Sequence, residues 1–145
     1  MKLRVEAATP EDIAAFDAYR YEPPYDFYNG DEEPVENPER FFSVRDEHDE
    51  LVGFYYYELK GAALEIGLGL RPDLTGRGVG LEFLRGGIAF AREHFGTERI
   101  ILNVAEFNER AIKVYERAGF RRTGAHMRTF RRWGAMPFIE MELAR

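Results

Sequence analysis

Apolar residues recur along this chain at two periods, and each switch between them marks a new element. Leu3 and Val5 alternate with Arg4 and Glu6, which predicts a short strand. Thr9-Pro10-Glu11-Asp12 then opens a helix, with proline in its first turn and acids behind it, that runs to about Tyr19 or Arg20. Residues 40–45 and 51–59 read as a hairpin around the polar turn 46–50, and Gly61 separates it from a third strand at 63–70. Leu81, Leu84, Ile88, Ala91 and Phe95 repeat at helical spacing, predicting a helix over 78–94. The β-branched run 99–104 is a further strand. Asn108 caps the start of another helix, and Gly119 stands where a left-handed residue ends it. Two last strands, about 121–131 and 136–143, flank Trp133-Gly134 as a final hairpin.

This order predicts an α/β (mixed α+β) fold with a central, mostly antiparallel sheet of six to seven strands flanked by about four helices, in one domain over residues 1–145. Between Glu22 and Pro38 the alternation stops. Four prolines and an Asn29-Gly30 turn lie among Tyr25, Phe27 and Tyr28, a composition that suits a semi-ordered loop or short helix lining a site.

Composition narrows the chemistry by exclusion. With no cysteine there is no disulfide, no thiolate metal site and no cysteine nucleophile. Ser43 is the single serine and has no histidine near it in sequence, and His48, His94 and His126 lack ligand spacing, so neither a serine triad nor a metal site is expected. No run of apolar residues reaches membrane-spanning length and no signal peptide is evident, which predicts a cytoplasmic protein without a membrane partner. A net charge of −6 argues against nucleic acid and suits a cationic acceptor. The charge is uneven. Asp26, Asp31, Glu32, Glu33, Glu36 and Glu39 crowd the first third, placed to attract an amine, while Arg121, Arg122, Arg128, Arg131 and Arg132 crowd the end.

The segment with the most chemistry runs from Leu68 and Leu70 through Pro72 to Thr75-Gly76-Arg77-Gly78-Val79-Gly80, an apolar strand that breaks and enters a helix through alternating glycines. Glycines at every second position admit positive φ and a close ligand, and amides at a helix start attract anions, so the loop fits a pyrophosphate. The dinucleotide fingerprint fails because Leu81 and Phe83 occupy the third glycine's place, and the nucleotide P-loop fails because no G-K-[ST] follows.

Downstream runs Asn108-Glu-Arg-Ala111-Ile-Lys-Val-Tyr115-Glu-Arg-Ala-Gly119-Phe120. Together the two segments resemble the GNAT superfamily of acyl-CoA-dependent N-acyltransferases, whose R/Q-x-x-G-x-G/A loop holds the coenzyme A pyrophosphate and whose N-x-x-A-x-x-x-Y-x-x-x-G-F helix lies beside the thioester. The matches are Thr75-x-x-Gly78-x-Gly80 and Asn108 to Phe120, with Thr75 standing where the pattern has Arg or Gln. The resemblance covers residues 51 to 122 well and the N-terminal third poorly. It implies acetyl-CoA as cosubstrate, held by Leu68, Leu70, Thr75, Gly76, Arg77, Gly78, Val79, Gly80, Asn108 and Tyr115.

It also implies transfer to a primary amine, on a small molecule or a peptide, by direct attack in a ternary complex. Strand alternation sets Glu65, Gly67 and Gly69 on one face and Leu64, Ile66, Leu68 and Leu70 on the other, so a flexible arm has an open floor beside a carboxylate. Glu65 is the expected general base, with its pKa raised by partial burial, and Tyr115 the expected acid for the leaving thiolate. Asn103 can orient a water or the acceptor, and Tyr25, Tyr28, Tyr55 and Tyr57 can shape the acceptor pocket. A non-catalytic acyl-CoA sensor would use the same loop. Edge pairing or exchange of the final hairpin offers a route to a homodimer.

Overall fold

A computed structural model describes residues 2–30 and 34–144, so Asp31, Glu32 and Glu33 of the acidic segment lie outside the described residues. Seven strands form one sheet: β1 (Arg4–Ala7), β2 (Phe41–Arg45), β3 (Leu51–Lys60), β4 (Ala63–Leu70), β5 (Ile100–Ala105), β6 (Phe120–Phe130) and β7 (Gly134–Leu143). Their spatial order is β1-β2-β3-β4-β5-β7-β6, and every neighbouring pair is antiparallel except β4 and β5. The α-helices among the described residues are α1 (Pro10–Asp17), α2 (Gly80–Phe95) and α3 (Glu109–Ala118).

That is one α-helix fewer than the sequence pattern predicts. Among its described residues the proline-rich stretch yields no α-helix, only 3-10 turns at Tyr25–Tyr28 and, from its last proline, at Pro38–Arg40, because its prolines remove amide donors and exclude helical neighbours. The two flanking helices are also shorter than expected. Helix α2 starts at Gly80, since Gly78 has φ +78° and cannot be helical, and α1 stops at Asp17, where the Arg20 guanidinium donates to the Asp17 and Tyr19 carbonyls.

Helix α2 packs on one face of the sheet through Phe83, Leu84, Ile88 and Ala91 against Tyr55, Tyr57 and Ile66, all buried. Gly87 lets it come close, because a Cβ there would lie 2.9 Å from the Tyr55 ring and 3.0 Å from Ile66. Tyr55 and Tyr57 donate their hydroxyls to the Phe83 and Gly87 carbonyls at 2.7 and 2.6 Å. They therefore belong to the core and not to an acceptor pocket, a correction to the sequence reading.

The opposite face carries α1, whose Phe16 ring lies 4.7 Å from that of Phe54. One buried acid fixes this helix. Asp12 forms a capping box with Thr9, accepts the Ser43 hydroxyl at 2.6 Å and accepts Arg45 Nη2 at 2.8 Å. Burial opposes its charge, but the bonds from Ser43 and Thr9 and the charge of Arg45 outweigh it and hold the carboxyl below its ordinary range. Since the folded pKa is the lower one, this stabilisation is complete above the unfolded carboxyl's pKa and is lost as pH falls through the folded value. Asp12→Asn is expected to cost about 1–3 kcal/mol in urea melts at neutral pH, with the gap to the wild type closing in acid.

Candidate active site

Strands β4 and β5 pair only at Leu64↔Ile100 and Glu65↔Ile101, and beyond that they diverge. The wedge between them opens into a cleft of about 600 Å³ whose walls include Gly67 to Leu70 of β4, Leu102 to Ala105 of β5, the glycine loop and the first turns of α3. Gly76 and Gly78 both hold φ above +70°, and a Cβ at Gly78 would meet nothing within 4 Å, so the loop is open at that point. Val79, at the N-cap of α2, makes no side-chain bond to the amides of the first turn, and amides at a helix start attract anions.

Of the residues singled out from the sequence, Leu68, Leu70, Thr75, Gly76, Gly78, Gly80, Asn108 and Tyr115 line the cleft, whereas Arg77, Val79 and Glu65 do not. Arg77 is exposed. Thr75 is turned inward on its own loop, its hydroxyl donating to the Pro72 carbonyl at 2.6 Å. Arg110 supplies a cation nearby: Nη1 would lie 3.9 Å from a Cβ on Gly76, and its guanidinium sits 4.0 Å over the Tyr25 ring. The sequence reading missed Arg110, although its place in the first turn of α3, beside the Asn108 cap, was a usable signal. Among the described residues it is the only arginine in the cleft wall, so none of Arg121, Arg122, Arg128, Arg131 and Arg132 is there. Asp26, Glu36 and Glu39 are not there either.

Burial pushes the Tyr115 phenol well above its ordinary pKa, with Tyr28 close by adding to the effect, so it stays protonated and able to donate. Glu65 lies just behind the wall. Its Oε1 accepts Lys60 Nζ at 2.7 Å, its Oε2 accepts Asn103 Nδ2 at 2.9 Å, and Arg128 Nη2 is 3.8 Å away. Asn103 is the contact between this ionic group and the cleft. Its Oδ1 is buried with no hydrogen-bond partner among the described residues, and the residue also borders a second cavity of about 410 Å³ whose lining includes Lys60, His126, Arg128 and Glu140. No cluster of metal-binding side chains occurs among the described residues, and no helix among them is long and apolar enough to cross a membrane.

A split parallel pair with a glycine loop at its mouth defines a class. Residues 6–120 match the model of the acetyltransferase (GNAT) family, and the chain belongs to that family. It is similar to the mycothiol acetyltransferase of Salinispora tropica, 35% identical over 103 residues that make up 66% of this chain and 33% of the relative. The mycothiol acetyltransferase of Propionibacterium freudenreichii is 41% identical over 92 residues, 58% of this chain and 28% of its own. The chain thus spans about a third of the length of these relatives. In fold it is similar to a chimera of Vibrio cholerae spermidine N-acetyltransferase with hSSAT (TM-score 0.75, 20% identity, 99% of this chain and 96% of that one). A Bacillus anthracis acetyltransferase of the GNAT family gives a TM-score of 0.76 at 16% identity, covering 99% of this chain and 95% of its own.

Asn108 ties the two sides of the cleft together. Its Oδ1 accepts the Ala111 amide at 3.1 Å as the cap of α3, and its Nδ2 donates to the Tyr28 hydroxyl at 3.0 Å. Asn108→Ala removes both bonds and is expected to lower stability by about 1–2 kcal/mol, read from the urea midpoint, with a rise in protease sensitivity confined to residues 22–38.

Proposed function

We propose that this chain is an N-acetyltransferase that binds acetyl-CoA along the wedge between β4 and β5 and passes its acetyl group directly to a primary amine. The observation that carries the reading is the divergence of β4 and β5 directly above a glycine loop that leads into the start of α2. Such a wedge presents unpaired strand edges to an extended, amide-bearing arm, and the loop presents amides to a pyrophosphate. The open floor expected at Gly67 and Gly69 is covered, by the Phe54 ring over Gly69 and by Tyr56 beside Gly67, so the arm runs along the free edge of β4 and not across its face. Bound acetyl-CoA supplies a thioester, an acyl group already activated toward an amine.

The remaining chemistry falls to this chain's side chains. Arg110 takes the anionic contact that Thr75, bonded to Pro72, does not make. Tyr115, kept protonated by burial, donates its proton where the thiolate departs. An alkylammonium of pKa ~10 must lose a proton before it can attack, and Glu65 accepts that proton through a water held at Asn103 Oδ1. The carboxylate has lone pairs to spare for such a water beyond those engaged by Lys60 and Asn103. Transfer is direct because the chain has no cysteine and Ser43 is fully buried, its hydroxyl committed to Asp12.

Calorimetry on the wild type should give micromolar binding of acetyl-CoA, and Gly78→Glu, which sets a carboxylate in the loop, should weaken it roughly 100-fold. Absence of binding to the wild type would overturn the reading. Binding without acetylation of any amine would return the chain to a sensor role. Glu65→Gln should lower kcat about 100-fold and flatten the acid limb of the pH–rate profile while acetyl-CoA affinity holds. A retained acid limb would remove Glu65 as the base.

A further inference from the structure

Beyond Gly67 and Gly69 the cleft continues under α1 and the segment that follows it, and there its walls turn aromatic. Phe54 lies flat on Gly69, where any Cβ would overlap its ring. The rings of Phe16 and Phe41 lie 4.7 and 5.5 Å from that of Phe54, so the three line one apolar wall of the cavity. Of the charged side chains described in the cleft wall, Arg110 stands at the glycine loop and Asp17 at the end of α1.

Two buried polar atoms of cleft-lining residues lack a hydrogen-bond partner among the described residues, Asn103 Oδ1 beside Glu65 and the Tyr19 hydroxyl near this aromatic surface, while Tyr21 donates to the Leu70 carbonyl. Burial pushes the Tyr19 phenol up to about 12, so it offers a neutral donor and acceptor and no charge.

We infer that the acceptor is a primary amine carried on an aromatic or branched apolar group, bound against Phe16, Phe41 and Phe54 with one polar contact at the Tyr19 hydroxyl. The inference rests on the acetyltransferase reading above. The fold likeness to a spermidine N-acetyltransferase, at 20% identity, brings no substrate with it.

The test uses the full chain with acetyl-CoA and four amines, 2-phenylethylamine, tyramine, spermidine and putrescine, with acetylated product read by mass spectrometry and acetyl-CoA binding by calorimetry. The aromatic amines should show kcat/KM at least about tenfold above spermidine and putrescine. Tyr19→Phe should raise KM for tyramine severalfold and leave the calorimetric affinity for acetyl-CoA unchanged. Spermidine or putrescine turned over as well as the aromatic amines would overturn the substrate class and leave the acetyltransferase reading standing. Acetyl-CoA binding with none of the four amines acetylated would overturn the class as well. Failure to bind acetyl-CoA would instead overturn the reading beneath it. An unchanged KM in Tyr19→Phe would remove the hydroxyl from the acceptor site.

Discussion

Strands β4 and β5 each keep an outer neighbour along their length, β3 for one and β7 for the other, yet they hold each other at only two register positions. A closed sheet would pair every inner amide and carbonyl. Here those groups face a cleft whose walls are otherwise largely apolar, and unpaired backbone in such surroundings needs a partner. An extended ligand bearing amides meets that need as an added strand would. The opening also fixes what stands at its mouth. The start of α2 meets α3, where a Cβ on Gly80 would touch Val114 at 3.8 Å, bringing the glycine loop and the Asn108 cap to the same end of the wedge.

Features governed by local backbone chemistry were legible in the sequence. The glycine loop, the Asn108 cap and the Gly119 stop each depend on a few consecutive residues, and the structure reproduces all three. Strand parity correctly set Glu65 with Gly67 and Gly69, because alternation is a property of the strand itself. Parity could not tell which face meets α2, so Tyr55 and Tyr57 were assigned to a pocket when they line the core. The surroundings of Glu65 were hidden for another reason. Lys60 reaches it across the β3–β4 turn, Asn103 across the one parallel pair and Arg128 from β6, and these meetings are set by sheet order. The 3-10 turn at Tyr25–Tyr28 was half-read, since the prolines announce irregularity without saying where one turn survives.

The first turn of α3 bears on both halves of the cleft at once. Asn108 caps the helix and holds Tyr28, Arg110 lies between the Tyr25 ring and the glycine loop, and Phe107 packs on Tyr25, Phe27 and Tyr28. The Tyr25–Tyr28 turn is therefore fastened to the same residues that stand beside the glycine loop. Phe27 extends the fastening to β6 and β7 through Phe130 and Phe138. A transfer without a covalent enzyme intermediate depends on holding two reactants in line, because no bond to the protein fixes either of them. With one helical turn gripping both walls, the distance between the loop and the aromatic pocket is set by side-chain contacts and not by the mobility of a proline-rich segment. Loosening this grip would change the alignment of the reactants before it changed the affinity for either.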